Sequence, residues 1–285
     1  IYKIPGYILL LFGGFCLSWG GLIVRSFETT SAWEILFLRS FFFFLGVSTF
    51  LILIYKKNSF ETIKKAGLAG LLGGFVMSFS FIAFVFAMMN TSVANVVFII
   101  STQTMFLALF GFLYLKEKIS LIGLLSIILA MTGITIMIKD SILGGTLFGN
   151  LVALTIPISF SILVMIVRKN SNLDLVPAIW YASIFSVLYS LIMIESFSFT
   201  NKDILMGFLL GVPQLTFGFI CITIGSRTTK SVTIGLLMLT ETIFAPLWVW
   251  LFLNEIPPLS VFIGGTIIIF AIIIKSLDKN KFISA

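Results

Sequence analysis

Charge in this chain is confined to short gaps between apolar runs, each of them about the ~20 residues that a helix needs to cross a ~30 Å hydrocarbon layer. Ten such runs stand at roughly 7–25, 33–55, 67–89, 92–114, 120–138, 146–167, 176–194, 204–225, 232–253 and 259–275. The gaps are charged or turn-like, as in KKNSFETIKK (56–65), KEK (116–118), RKNSNLD (168–174) and NEIPP (254–258). With 59% hydrophobic and 10% charged residues, the chain carries far less charge than the roughly one quarter typical of a soluble domain. The expectation is an all-α integral membrane protein of ten transmembrane helices. The first run has no basic leader before it and no small-residue cleavage site after it, so it reads as a retained span.

The two halves repeat. STQTMFLALFGFLYLKEKISL (101–121) aligns without a gap on LTETIFAPLWVWLFLNEIPPL (239–259), an offset of 138 positions. Thr102 meets Thr240, Thr104 meets Thr242, Phe106 meets Phe244, Glu117 meets Glu255 and Leu121 meets Leu259; upstream, Gly73 meets Gly211 and Phe81 meets Phe219. Two units follow, 1–139 and 140–285, with five spans each. Five is odd, so the second unit enters the bilayer inverted relative to the first. Arg25 and Arg168, in LIVRSF and MIVRKN, fit that inversion at an offset of 143. Five additional residues therefore belong to the first unit, around 56–66. Inverted repeats of this kind build transporters, whose site lies near the midplane where the copies meet.

Basic residues set the orientation. With the N-terminus in the cytoplasm, fourteen Lys and Arg fall inside and only Arg25, Lys139 and Lys202 outside, Arg39 lying within a span. Both termini are then cytoplasmic. The net charge of +7 serves orientation and contact with anionic headgroups rather than nucleic acid. Histidine is absent, and with it the commonest metal ligand, proton shuttle and catalytic base. No carboxylate cluster lies within the spans and no GxxxxGK[ST] motif occurs, so neither an intramembrane enzyme nor an ATP-driven pump has a site. No cofactor is expected. A channel would need a polar ring. Cys16 and Cys221 sit in apolar runs and read as small core residues.

Trp19-Gly20 in the first span, an Arg in LRSF (38–41) of the second, and the fourth- and ninth-span endings LYLKEKISLIG and LFLNEIPPLSVF together resemble the EamA-type branch of the drug/metabolite transporter superfamily, over essentially the whole chain. The resemblance implies secondary transport of small metabolites, often export, through a central cavity lined by spans one to four and six to nine, with spans five and ten at the side. Asn254 in place of Lys116, and Pro257-Pro258 in place of Ile119-Ser120, depart from the first copy. The likeness, with the Ile/Phe/Lys-rich composition, places the protein in a bacterial plasma membrane; the expected partners are a small-molecule substrate and the lipid bilayer, and the expected state is a monomer or homodimer.

Glu241 is the sharpest polar position. It lies about ten residues into the ninth span, where a carboxylate costs at least ~2.5 kcal/mol unless paired, hydrated or protonated. Its repeat partner is the neutral Gln103, so the fold itself demands no charge there. The readings are a proton-coupling site, an anchor for a cationic substrate, or a structural buried carboxyl. Asn95, Thr102 and Gln103 share one arc of the fourth span, and Thr233, Thr240 and Glu241 the same arc of the ninth; they line a cavity or make interhelical hydrogen bonds. Arg39 can snorkel outwards, neutralise Glu34, or act as a countercharge for a substrate or for Glu241, and the family resemblance implies a role in gating or structure. Trp19 reads as a cavity wall. Trp180 and Tyr181 face either a cavity or neighbouring helices, whereas Trp33, Tyr55, Tyr114, Trp248 and Trp250 read as interfacial belt residues. Glu117 and Glu255 read as structural, each facing the start of the next helix. Pro157, Pro213 and Pro246 should kink their spans.

The function expected is a secondary active transporter of an amino acid, an amine or a related organic solute, working by alternating access and coupled to protons through Glu241. A uniporter or exchanger, or an importer of a quaternary ammonium compound, is the alternative.

Overall fold

The computed structural model describes residues 2–29, 31–91, 93–138, 147–195, 197–253 and 259–276. The expected junction of the two units at 139/140, and Asn254, Glu255 and Pro257-Pro258, lie outside the described residues. Among those described the chain is helical throughout, without strands. A backbone in hydrocarbon must satisfy its own hydrogen bonds, and a helix does so within one segment.

The helices are α1 (Gly6–Leu17), α2 (Gly20–Val24), α3 (Ala32–Tyr55), α4 (Ser59–Asn90), α5 (Val93–Ser101), α6 (Gln103–Leu115), α7 (Leu121–Ile138), α8 (Leu147–Lys169), α9 (Val176–Met193), α10 (Asn201–Leu209), α11 (Phe217–Ser226), α12 (Ser231–Met238), α13 (Thr240–Leu253) and α14 (Leu259–Ser276). Seven stretches among the described residues are long and apolar enough to cross a bilayer: Gly6–Val24, Ala32–Asn90, Asn95–Leu115, Leu147–Lys169, Val176–Met193, Asn201–Ser226 and Ser231–Phe252. The shorter apolar helices Leu121–Ile136 and Phe262–Lys275 add to these. Their outward faces are apolar as well, as at Ile192, Phe60 and Leu53.

Local chemistry sets the ends and the breaks. Ser31 caps α3 through the Glu34 N–H, and Thr200 and Asp203 form a reciprocal capping box on α10. The 59-residue stretch is interrupted at Lys56 (φ 51) and Gly67 (φ 50, ψ −143), the second a backbone conformation that glycine adopts readily. Three more interruptions share one device. At Ser18, Thr102 and Thr240 a hydroxyl donates to the carbonyl three residues earlier, of Phe15, Ile99 and Leu237, and α1/α2, α5/α6 and α12/α13 part at these places. A side chain that competes for a helical carbonyl in this way bends the helix. Pro213 lies in a π-helical widening, Leu210–Thr216, between α10 and α11, because it has no N–H to give to the ladder.

The packing comes in matched sets. α4 lies against α8, and α11 against α1; α4 lies against α9, and the π-helical segment against α3; α6 lies against α8, and α12 against α1. α3 meets α9, α6 meets α12, and α7 pairs with α14 at the side. Glycine permits the closest of these approaches. A Cβ on Gly74 would stand 2.5 Å from the Ala178 carbonyl of α9, and one on Gly211 2.7 Å from the Arg39 carbonyl of α3. Small residues of this kind let helix backbones meet in lipid, where apolar side chains alone give no reason to associate.

Candidate functional site

Where α3, α4, α8, α11, α12 and α13 converge there is a cavity of about 40 Å³. Arg39, Gln103, Gln214, Ser80 and Glu241 line it, with Phe81, Phe84, Phe160 and Phe219 as its aromatic walls. A water needs roughly 10–15 Å³ of such space, so the cavity as it stands has room for about three waters. Sites for small molecules run to some 300–1,000 Å³. The cavity is therefore too narrow for a metabolite in this conformation.

The helix breaks position the two key polar groups. Gln103 is the first residue of α6 and Glu241 the second of α13, each immediately beyond a break. Glu241 thus stands at the positive end of its helix, where a negative charge is favoured. Ser101 and Thr242 join across the two breaks at 2.7 Å, and Thr104 donates to the Gly235 carbonyl at 3.1 Å. The crossing of the two repeated helices is in this way tied by hydroxyl groups.

Arg39 is 2% exposed and does not snorkel to the headgroups. Its Nη1 donates to the Phe81 carbonyl at 3.3 Å. Its guanidinium lies 4.8 Å from the centre of the Phe84 ring and 5.3 Å from that of Phe81, cation–π contacts that partly replace lost hydration. Nε has no partner. Glu34, one candidate for its countercharge, instead accepts from Thr29 and from Ser198 at 3.3 Å. Arg39 and Glu241 interact electrostatically. The ion pairs within 4.0 Å among the described residues are Lys65–Glu61, Arg168–Glu117 and Lys202–Glu28, so these two charges face one cavity without touching. Gln214 donates to the Leu17 carbonyl at 3.2 Å, leaving its Oε1 buried and without a partner.

The other residues singled out in the sequence lie elsewhere. Trp19 stacks on Trp248 at 3.9 Å and 19°, and Trp248 donates to Ser18 at 2.7 Å; both belong to an aromatic cluster with Phe15, Phe244 and Phe252. Trp248, expected in the interfacial belt, is thereby tied to the α1/α2 break. Trp180 donates to Ser48 of α3 at 2.9 Å, and Tyr181 packs beside it and against Gly74. Asn95 donates to Thr91, which bonds Asn150 and, through its carbonyl, Arg25. Thr102 and Thr240 hold the helix breaks.

Glu117 faces the start of a helix as expected, though not of the next one. It accepts the Ser231 N–H of α12 at 3.0 Å and pairs with Arg168, a link across 114 positions of sequence. Gln214 and Ser80 were not singled out in the sequence; the signal for Gln214 was an amide beside a proline within an apolar run. Among the described residues, no group of three or more His, Cys, Asp or Glu is placed to hold a metal ion.

Comparison with known proteins agrees with this architecture. Solute carrier family 35 member G1 of Homo sapiens is 24% identical over 270 residues, covering 88% of this chain and 73% of the relative. Its Mus musculus counterpart matches at the same 24% identity and coverage. Both relatives are mammalian and lend no support to a bacterial origin. A solved crystal structure superposes with a TM-score of 0.79 at 14% identity, over 95% of this chain and 96% of that one, a likeness of fold alone. The model of the EamA-like transporter family matches residues 4–139 and 147–277. Multiple apolar helices, matched helix packing and this coverage of nearly the whole sequence lead to one assignment: the chain is a multi-pass membrane protein that belongs to the EamA-like transporter family.

Proposed function

We propose that the chain is a secondary transporter that moves a small metabolite bearing both a carboxylate and an amine, by alternating access between two inverted five-span units, 1–139 and 140–285. The single observation that carries this reading is the narrow cavity shared by Arg39 and Glu241, where opposite charges face each other without a direct ion pair. A zwitterion with a short backbone complements both: its carboxylate meets the guanidinium, its ammonium meets Glu241, and its remaining polar atoms meet Gln103 and the unpartnered Gln214 Oε1. Buried charges cost least when each has a partner, so an occupant of this chemistry is favoured over a neutral solute. A quaternary ammonium cage is disfavoured, because the faces of Phe81 and Phe84 are already taken by Arg39.

Ten spans follow if the 59-residue stretch is divided at residues 56–58 and the two shorter apolar helices also cross; the matched packing supports the repeat. The distribution of Lys and Arg supports cytoplasmic termini.

Glu241 also couples transport to protons. Amine and proton occupy one carboxylate in turn, so the arrival of one releases the other, which is the simplest form of antiport. Counterflow in proteoliposomes, measured as a function of pH, tests this. Wild type should show saturable counterflow that changes with pH, and Glu241→Gln should flatten that dependence while the protein still folds. An unaltered pH profile in Glu241→Gln refutes the coupling.

A further inference from the structure

Repetition leaves one segment of the first unit without a counterpart. Between α3 and the long apolar part of α4 stand Lys56–Asn58 and the opening of α4, residues 59–66, where the sequence register placed the additional residues. The connection that matches it, IESFSFT (194–200) between α9 and α10, has no lysine. We infer that residues 56–66 lie along the bilayer surface and dock on anionic phospholipid headgroups, with the Phe60 ring inserted beneath them.

Two bends set the segment off, at Lys56 (φ 51) and at Gly67 (φ 50, ψ −143). A Cβ on Gly67 would meet nothing within 4 Å, so this glycine serves the bend and not a close helix approach. Between the bends one side of the segment is fastened down. Ser59 donates to the Leu51 carbonyl of α3 at 2.9 Å, Ile63 packs on the core, and Ala66 is buried. Helical spacing puts Phe60, Glu61, Lys64 and Lys65 on the other side, and all four are exposed.

That outer side is both basic and apolar. Phe60, at 78%, is the most exposed large apolar side chain among the described residues, and Lys64 follows it by one turn. Glu61 is the acid of the segment, and it pairs with Lys65 at 2.8 Å. Lys56, Lys57 and Lys64 stand outside the ion pairs within 4.0 Å among the described residues. The nearby Asp174 accepts from the Tyr2 and Tyr55 hydroxyls. Water suits the lysines and not the ring; hydrocarbon suits the ring and not the lysines. The headgroup layer takes both. A soluble anion would leave Phe60 in water, and a neutral headgroup would leave the ammonium groups unanswered, so the complement is an anionic lipid surface. The surface is independent of the reading of Glu241.

The test uses the full chain with Cys16→Ala, Cys221→Ala and Asn58→Cys, labelled at the exposed position 58 with an environment-sensitive fluorophore. It is reconstituted at one copy per nanodisc, in phosphatidylcholine alone or mixed with phosphatidylglycerol. Phosphatidylcholine brominated high in its acyl chains is the quencher in both. Phosphatidylglycerol should shift the emission to the blue and increase quenching. A single Lys→Gln change at 56, 57 or 64 should lower the docked-to-undocked ratio about fivefold, the equivalent of roughly 1 kcal/mol for a lysine at an anionic surface. K56Q/K57Q/K64Q/K65Q should abolish the response and K56R/K57R/K64R/K65R should retain it. Phe60→Ser should lose most of the quenching. The thermal midpoint in phosphatidylcholine reports whether each variant folds. Equal quenching in the two lipid mixtures, or a full response in folded K56Q/K57Q/K64Q/K65Q, overturns the docking. A response that appears only in vesicles holding many copies assigns the face to a second copy and overturns the lipid as its occupant.

Discussion

Arg39 and Glu241 each place a full charge in a chain that has few inside its spans, and each depends on the other. Arg39 keeps one carbonyl acceptor and two ring faces, and among the described residues the acid that acts on it across the cavity is Glu241. Removing one member of a buried charge pair leaves the other uncompensated, which costs about 3–5 kcal/mol for a direct pair and less here because the two do not touch. Arg39→Gln and Glu241→Gln should therefore each lower the thermal midpoint, and the double variant should lose less than the sum. A coupling of about 1 kcal/mol or more is expected for side chains that share a site. Strict additivity in the thermal-unfolding cycle would sink the pairing. At this scale the sequence was informative where an ionisable group interrupts an apolar run, and Glu241, Gln103 and Arg39 do share the cavity. It was uninformative for Asn95, Trp180 and Tyr181. Hydroxyls, amides and indoles satisfy themselves on whichever neighbour is near, as Trp180 does on Ser48.

The elements are held at their ends by polar links that span the whole sequence. Glu117 shows this best: its side chain and that of Arg168 are 15% and 6% exposed, and the same carboxylate caps α12. Arg168→Ala leaves Glu117 with the Ser231 N–H and the positive end of α12. Glu117→Ala removes the cap and leaves Arg168 with the Ser226 carbonyl at 3.5 Å. Glu117→Ala should therefore be the more destabilising of the two, by about the 1 kcal/mol that a lost helix cap typically costs. Equal effects, or the reverse order, in thermal unfolding would show that the cap contributes nothing. The span positions were readable because a bilayer imposes length and hydrophobicity on every helix. The helix faces were not. Helices apolar all round give no stripe to orient, so the partner of Glu117 lay beyond sequence reasoning. The breaks at Thr102 and Thr240 were readable only as matched positions, because a threonine that bonds its own backbone looks the same in sequence as one that lines a cavity.

Two separate sets of contacts join elements at opposite ends of the molecule, and the alternating access proposed above requires each set to open in turn. At the end assigned to the cytoplasm, the Tyr2 and Tyr55 hydroxyls donate to Asp174 at 2.5 and 2.6 Å, and Arg227 donates twice to the Ser171 carbonyl, at 3.0 and 2.8 Å. Partial burial first, and the bond to Asp174 second, hold the Tyr2 phenol above its ordinary range. It therefore stays a neutral donor through the physiological range. At the other end, Asp203 accepts the N–H groups of Glu28 and Thr29 at 2.8 and 3.3 Å, and Arg25 donates to the Thr91 carbonyl at 3.2 Å. A contact that must break for one side to open biases the population against that opening, so deleting one set should expose the cavity from that side alone. The reporter is Ser80→Cys, on the cavity wall, in a background carrying Cys16→Ala and Cys221→Ala. With Asp174→Ala, an impermeant thiol reagent should label position 80 faster from the cytoplasmic side; with Asp203→Ala, faster from the opposite side. Labelling from the same side in both variants would mean that the two ends do not gate separately, and a carrier with one alternating site would lose its structural basis.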